Sequence, residues 1–203
     1  MLESVHARAI TTTRRIAMFT SLETPRLLLR RFSTQDVDAF VSYRNEPAVA
    51  RYQSWETFTP DEAAEMARLQ VSLDPGTPGA WFQFAVALRP DLEIIGDVGL
   101  YVDADDHRLG EVGFSFASRY QGKGLACEAL LEVLRFSFAS LGLHRVKAVV
   151  DRRNDPAVRL LRRSGFRQEA LFLQHVWFKG AWCDEYVFAI LANEWKEALG
   201  GTR

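Results

Sequence analysis

The chain has 203 residues, of which 48% are hydrophobic, and its formal net charge is −1. A chain of this size can bury one sizeable core, and its balanced charge argues against a nucleic-acid partner or an anionic membrane surface. Two cysteines and four histidines without ligand spacing exclude a disulfide framework and predict no metal site, and no apolar run reaches the ~20 residues of a membrane span.

The front half of the chain predicts a strand, two helices and then a group of strands. Residues 26–32 predict the first strand, and apolar residues at helical spacing predict a helix over 34–44. Residues 46–59 are expected to form an irregular link, and Pro60 with the acids after it opens the next helix. Beyond a break rich in proline and glycine, the pattern predicts three antiparallel strands at about 81–88, 93–102 and 108–117.

In the second half of the chain, the sequence pattern predicts helices and strands in a different order. We expect a helix over 123–140, a strand at 145–150, a helix at 155–164, and two strands near 166–176 and 182–191. Mixed helices and strands with an antiparallel front half are typical of a single α/β or α+β domain with helices packed on a central sheet.

The two ends of the chain are expected to lie outside this domain. Residues 1–20 contain no apolar core of signal-peptide length, and we predict a disordered extension there, with Met18 as an alternative start. We therefore place the domain at residues 21–197, a tail at 198–203, and the protein in the cytoplasm.

A glycine-rich turn between the strand at 108–117 and the following helix is the strongest functional signal. Two glycines let the backbone turn sharply and approach a ligand, and the next helix offers unpaired amides to a phosphate. A Walker A loop is excluded because Gly124 follows Lys123, and the dinucleotide fingerprint lacks its third glycine. An ordinary strand–helix connection is the alternative. The turn comprises Gln121, Gly122, Lys123, Gly124, Leu125 and Ala126.

A second motif follows about thirty residues later. Asn154 can cap a helix whose first turn contains Pro156, and Gly165 is suited to its C-terminal end. The two motifs match the patterns Q/R-x-x-G-x-G/A and N-x-x-[AS]-x-x-L-[YL]-x-x-x-G-F. On these residues the chain resembles the GNAT acetyltransferase superfamily. Residues 24–30 and 176–186 look like the branch that contains the ribosomal-protein alanine N-acetyltransferases.

The resemblance implies a twisted mixed sheet of about seven strands, split between the fourth and fifth, with acetyl-CoA in the split. The amides of residues 121–126 would then hold the pyrophosphate, and Lys123 would either add charge or be solvated. The pantetheine would follow Phe114, Ser115 and Phe116, with the Phe116 amide polarising the thioester carbonyl. Asn154 matches the family position that hydrogen-bonds the pantetheine arm.

The implied reaction is direct transfer of an acetyl group to an amine. Glu111 is the candidate general base, and a carboxylate satisfied by a strand end is the equally weighted alternative. At the positions where family members carry an acid, this chain has Ala157 and Leu161, neither of which can donate a proton. A CoA thiolate leaves tolerably near neutral pH, and an α-amine near ~8 needs less help from a base than a lysine, so we favour a low-pKa amine.

The acceptor side is the least determined. A protein N-terminus, by resemblance, and a small-molecule amine are both open, and a non-catalytic acyl-CoA-binding module is the rival from another class. The protein is expected to be a monomer or a homodimer. The resemblance places the following residues near the acceptor: Arg51, Tyr52, Trp55, Trp177, Lys179, Trp182 and Asp184.

Basic residues crowd around the second motif. A solvated helix face and a site for the 3′-phosphate of CoA explain them equally well. The cluster consists of His144, Arg145, Lys147, Arg152, Arg153, Arg159, Arg162, Arg163 and Arg167.

Overall fold

The structure is a computed structural model, and it describes residues 19–195. The predicted tail at 198–203 and all but the last two residues of the predicted extension lie outside the described residues. Phe19, one of those two, packs edge-on against Phe82 and Phe84 with ring centres 5.4 Å apart in both cases. The described chain therefore joins the core from its first residue.

Groups of strands and helices follow one another through this range, and a helical turn at 192–195 follows the last strand. The main helices are α1 (Val37–Arg44), α2 (Pro47–Ala50), α3 (Pro60–Val71), α4 (Leu125–Ala139) and α5 (Asp155–Arg163). The strands are β1 (Ser21–Glu23), β2 (Leu27–Arg31), β3 (Trp81–Leu88), β4 (Glu93–Val102), β5 (Leu109–Phe116), β6 (Arg145–Asp151), β7 (Arg167–Phe178) and β8 (Ala181–Leu191).

All eight strands form one mixed sheet in the order β1-β2-β3-β4-β5-β6-β8-β7. Every neighbouring pair is antiparallel except β5 and β6, which are parallel over three residue pairs, from Leu109–Arg145 to Glu111–Lys147. Beyond Glu111 the two strands separate. The predicted split between the fourth and fifth strands is thus confirmed, since those strands are β5 and β6.

The core lies on both faces of the sheet. On one face α4 buries Leu125, Leu130, Val133 and Leu134, which recur at helical spacing. Each such side chain stabilises the fold by about 1.5–3 kcal/mol. On the other face α1 and α3 cover the sheet, where Phe40 is fully buried. This two-sided packing confirms the predicted α/β architecture.

Two short elements were missed by the sequence analysis. The sheet has eight strands rather than about seven, because three-residue β1 is too short to show an alternating pattern. The link predicted as irregular at 46–59 contains α2, whose four residues are too few for helical periodicity. The other elements match within a few residues, and the last hairpin turns tightly at Lys179 and Gly180.

Candidate active site

The turn between β5 and α4 is built on two glycines with left-handed backbone. Gly122 and Gly124 have φ of +73° and +77°, values that other residues rarely adopt. Gly124 is also the N-cap of α4, and no described side chain caps the helix. The first amides of α4 therefore have no intrahelical partner and carry the positive end of the helix dipole. This arrangement suits an oxyanion such as a phosphate.

The connection between β1 and β2 braces the outer side of this turn. Arg26 Nη1 donates to the Lys123 carbonyl at 3.1 Å, and Arg26 Nε donates to Glu128 Oε2 at 2.6 Å. The Thr24 hydroxyl donates to Glu128 Oε1, also at 2.6 Å. Burial opposes ionisation of Glu128, but these donors outweigh it and hold its pKa below the ordinary value. The carboxylate thereby fixes the first turn of α4 against the sheet.

A cavity of ≈ 380 Å³ runs along this turn, and we call it the first cavity. The end of β5, the glycine turn, the first turns of α5 and the segment around α2 form its walls. Lys123 does not line it, and the ammonium of this exposed side chain lies 5.3 Å from the Tyr120 ring centre. The sequence-predicted residues that do line it are Tyr52, Phe114, Ser115, Phe116, Gln121, Gly122, Gly124, Leu125, Ala126 and Asn154.

The edge of β5 that faces the split is held by side-chain amides. Gln53 Nε2 lies 3.4 Å from the carbonyl oxygen of Phe114, and Gln121 Nε2 lies 2.9 Å from that of Phe116. Because a strand edge exposes alternate backbone groups, these carbonyls border the first cavity. A ligand with amide groups can pair with the same edge as an added strand does.

Helix α5 presents polar groups to the other wall of the first cavity. Asn154 Oδ1 accepts a 3.3 Å hydrogen bond from the Ala157 amide, which caps the helix and leaves Nδ2 as a donor. Arg159 and Arg163 also line the cavity, and their i, i+4 spacing puts them on one helix face. Within residues 19–195 neither arginine pairs with a carboxylate, so the wall carries two positive charges.

The two family positions for an acid contain no acid here. Ala157 lines the first cavity, whereas Leu161 is 1% exposed and packs in the core beneath it. A methyl group and a buried leucine can transfer no proton. The nearby Tyr120 hydroxyl donates its hydrogen bond to Glu93, so in this arrangement the phenol proton does not point to a ligand in the cavity.

Glu111 lies at the last residue pair before β5 and β6 separate. Its Oε2 is 3.1 Å from Lys147 Nζ, and its side chain is 25% exposed. The residue lines neither the first cavity nor the second cavity described below. A proton from a ligand in the first cavity would therefore reach this carboxylate through a relay such as water.

Tyr52 connects the segment after α2 to the loop before α5. Its hydroxyl donates a 3.1 Å hydrogen bond to the Arg153 carbonyl. Tyr52 is also the residue shared by the first cavity and a second cavity of ≈ 350 Å³. The other residues lining the second cavity are Pro47, Arg51, Arg153, Phe178, Lys179 and Ala181.

Trp55 has a packing role in the described structure. Its Nε1 donates to the Arg44 carbonyl at 3.2 Å, and the Arg44 guanidinium lies 4.2 Å from its ring centre. Arg44 is itself buried in an ion pair with Asp97 at 2.9 Å. Trp55 lines neither cavity, so its position gives no support to a substrate contact.

The final hairpin brings Lys179 to the second cavity, whereas its other predicted acceptor residues, Trp177, Trp182 and Asp184, line neither cavity. Trp177 is 60% exposed and packs edge-on against Trp182. Asp184 accepts hydrogen bonds from the Gln174 amide at 2.9 Å and from Arg152 at 3.2 Å. The carboxylate of Asp184 therefore stabilises the irregular part of β7.

The chain matches a known domain family. Residues 26–167 match the domain family described as Acetyltransferase (GNAT) domain, which is more than half of the chain. The chain belongs to the GNAT acetyltransferase family. Family membership makes the protein an acetyl-CoA-dependent acetyltransferase, and it confirms the predicted resemblance.

Two relatives cover most of this acetyltransferase. It is 30% identical over 175 residues to an uncharacterized N-acetyltransferase, p20, of Bacillus licheniformis, covering 86% of this chain and 98% of the relative. It is 32% identical over 174 residues to the uncharacterized N-acetyltransferase YnaD of Bacillus subtilis, with the same two coverages.

Solved structures resemble the acetyltransferase over similar lengths. The ribosomal-protein-S5-alanine acetyltransferase of Vibrio fischeri has a TM-score of 0.75 at 26% identity, covering 87% of this chain and 99% of that chain. This likeness agrees with the predicted ribosomal-protein branch. The spermidine N-acetyltransferase of Vibrio cholerae, in complex with CoA and spermine, has a TM-score of 0.74 at 24% identity, with coverages of 85% and 99%. That likeness concerns the fold alone.

Some cavity residues of the acetyltransferase were missed or left undecided. Gln53 gave no sequence signal, because a side-chain contact to a strand 61 residues away follows no local pattern. Arg159 and Arg163 were only part of a basic cluster, although their i, i+4 spacing after Asn154 could have singled them out.

In the described part of the acetyltransferase, no group of three potential ligands could hold a metal ion. Within the same residues, no helix has the length and apolar character needed to cross a membrane.

Proposed function

We propose that the acetyltransferase transfers the acetyl group directly from acetyl-CoA to the α-amine at the N-terminus of a protein or peptide. One observation carries this proposal: the first cavity joins the amide-rich turn at residues 121–126 to Tyr52, where the second cavity begins. In this proposal the donor thioester lies in the first cavity, the acceptor amine approaches from the second, and the two meet beside Tyr52.

The pyrophosphate of acetyl-CoA binds the backbone amides of the glycine turn, where the dipole of α4 favours negative charge. Gly122 and Gly124 keep this surface free of side chains. Arg159 and Arg163 supply positive charge for the 3′-phosphate of CoA, since both line the first cavity and lack a carboxylate partner among the described residues. This assignment chooses the phosphate-site interpretation of these two members of the basic cluster.

The pantetheine lies along the edge of β5. Its amides replace the hydrogen bonds that Gln53 and Gln121 now make to the Phe114 and Phe116 carbonyls. Asn154 Nδ2 donates to the arm from the other wall. The Phe116 amide polarises the thioester carbonyl, as an oxyanion-hole donor does.

The reaction needs a neutral amine. Its lone pair attacks the thioester carbonyl carbon, the C–N bond forms, and the tetrahedral intermediate collapses with loss of the C–S bond. The thiolate leaves with the electron pair, and the amine proton passes through water towards Glu111. Because Ala157 and Leu161 supply no acid, the thiolate takes its proton from solvent, which its pKa near ~8.5 permits.

The acceptor assignment rests on the low pKa of an α-amine, near ~8, and on the ribosomal-protein relatives. A small-molecule amine is the second candidate, and the polyamine acceptor of the Vibrio cholerae structure belongs to that class. Two carboxylates that could attract a polyamine are engaged elsewhere: Asp184 with Arg152, and Glu185 with His175 at 2.6 Å.

The test is release of CoA thiol from acetyl-CoA with three acceptors: an alanine-terminated peptide, the same peptide blocked at its N-terminus but containing lysine, and spermidine. We expect turnover with the free N-terminus, and mass spectrometry should locate the added 42 Da on the α-amine. Turnover with spermidine alone would overturn the proposed acceptor and leave the acetyltransferase assignment intact.

A further inference from the structure

The second cavity lies between α2, with the residues after it, and the tip of the β7–β8 hairpin. It shares one lining residue, Tyr52, with the first cavity, so the two cavities adjoin at this side chain. Under the function proposed above, on which this assignment rests, the second cavity is the side from which the acceptor approaches the thioester.

The charged residues that line the second cavity are all basic. Arg51, Arg153 and Lys179 line the second cavity, and no acidic side chain does. Arg153 is neutralised in part, because Asp151 accepts two hydrogen bonds from its guanidinium, at 3.0 and 2.6 Å. Within residues 19–195 neither Arg51 nor Lys179 pairs with a carboxylate, which leaves two positive charges at this cavity.

Lys179 is held in place by the backbone of the hairpin. Lys179 and Gly180 have φ of +48° and +79°, the two left-handed residues that a tight hairpin turn requires. From this turn Lys179 Nζ reaches across to the Ala50 carbonyl at 2.6 Å. That carbonyl lies at the end of α2 and also accepts a 3.0 Å hydrogen bond from the Gln53 amide, so it uses both of its lone pairs. The ammonium is thus fixed at the rim and retains two N–H donors for a ligand.

Arg51 follows Ala50 and adds a second positive charge to that of Lys179. Its side chain is exposed, and its guanidinium carbon lies 5.2 Å from the Tyr52 ring centre. A planar guanidinium binds a carboxylate or a phosphate through two parallel hydrogen bonds. The two cations therefore line the same cavity as Tyr52, the residue at which the cavities meet.

We infer that the acceptor carries an oxyanion a few bonds from its reactive amine, bound by Arg51 and Lys179. In a peptide this group is an acidic side chain directly after the N-terminal residue, and in a small molecule it is the carboxylate of an amino acid. The same charges repel a polyamine, because like charges at a binding surface act against the wrong partner.

The test uses three peptides that differ only at the second residue: Ala-Glu, Ala-Gln and Ala-Lys, followed by a common sequence. We expect kcat/KM for Ala-Glu to exceed that for Ala-Gln by about tenfold, with Ala-Lys lowest. Raising the salt from about 0.1 to 1 M should shrink this preference, because the screening length falls from about 10 to 3 Å. Equal rates for the three peptides would overturn the inference while leaving the proposed function standing.

A second arm separates the two sources of the oxyanion. If no peptide is acetylated but free alanine is preferred over alaninamide, the oxyanion inference holds and the peptide acceptor fails. If alaninamide is preferred, the inference fails as well.

Variants connect the preference to the named residues. Arg51→Gln and Lys179→Gln should each reduce the Ala-Glu to Ala-Gln ratio, and Arg51→Glu should invert the order in favour of Ala-Lys. Arg135→Gln removes an exposed arginine paired with Glu132 on α4, away from both cavities, and should leave the ratio unchanged. Because the readout is a ratio, a general loss of activity does not imitate the effect, and an unchanged ratio in all three cavity variants would contradict the assignment.

Discussion

The carboxylate of Glu111 lies 3.1 Å from the ammonium of Lys147, at the point where β5 and β6 separate. Both side chains are partly exposed, so solvent screens the pair and its contribution to stability is at most about 1 kcal/mol. Either partner can therefore be replaced with little effect on folding. Variants of the two residues can therefore distinguish a role of the Glu111 carboxylate in proton transfer from a role in the ion pair.

Replacing Glu111 with glutamine is expected to lower kcat roughly 100-fold, because a carboxylate that accepts the amine proton is worth about 10²–10⁴ in rate. The Kd for acetyl-CoA should not change. Lys147→Gln breaks the same ion pair but keeps the carboxylate, and its kcat should stay within about twofold of the wild type. Steady-state thiol release with titration calorimetry measures both quantities. Equal losses in the two variants would assign Glu111 to the ion pair rather than to proton transfer.

The glycine turn can be tested by binding alone. Micromolar binding of acetyl-CoA, about −8 kcal/mol, is expected for the wild type. Gly124→Glu should weaken it at least about 100-fold, because it strains a left-handed residue and adds a negative charge beside the pyrophosphate.

Gly142→Glu is the matched control for that variant. Gly142 has φ of +72°, has open space around a Cβ, and lines neither cavity, so the substitution brings the same backbone strain and the same charge. We expect it to keep wild-type affinity in calorimetry. Comparable losses in both variants would show that strain, rather than the phosphate site, governs the result.

The two arginines on α5 should distinguish CoA from its analogue without the 3′-phosphate. In the double variant with glutamine at positions 159 and 163, we expect the wild-type preference for CoA to fall by about tenfold or more, since each charge-assisted hydrogen bond contributes about 1.5–3 kcal/mol. Arg162→Gln is the control, because its guanidinium faces Gln168 and the Phe188 ring instead. An unchanged preference in the double variant would identify the basic face as solvated surface.

Glu169 should make the stability of the acetyltransferase depend on acid pH. Hydrogen bonds from Arg145 outweigh desolvation and, with Arg167, lower the pKa of Glu169 from 4.5 to about 2. The stabilisation is present above the ordinary pKa and is lost as the pH falls from about 4.5 towards 2. After allowance for screening we expect Glu169→Gln to cost about 1 kcal/mol at pH 7, nearly as much at pH 5, and roughly half as much at pH 3. Urea unfolding at pH 7, 5 and 3 measures this, and parallel curves for the two proteins would contradict it.

Local backbone requirements were readable from the sequence. The glycine turn and the capped helix after Asn154 were predicted because φ above zero, a side-chain cap and a proline in the first turn each restrict the residue types allowed. The prediction of a split in the sheet came from family resemblance, because strand order depends on contacts between residues that are far apart in the chain.

Contacts between distant segments were not readable. The hydrogen bond from Tyr52 to Arg153 joins residues 101 positions apart, and no periodicity marks it. Trp55 shows the opposite difficulty: a tryptophan in a loop looks the same whether it meets a ligand or, as here, packs against Arg44. The pairing of Glu111 with Lys147 also depends on strand order, so sequence alone left its role open.

The three residue pairs that join β5 to β6 have a mechanical consequence. Within the described chain, β5 and β6 are paired at one end and separated at the other. The pantetheine proposed to lie along β5 would supply hydrogen bonds where the two strands are separated. Each catalytic cycle then inserts and withdraws a temporary strand. The two halves of the sheet would therefore be held together most stably while the donor is bound, and release of CoA would weaken their association.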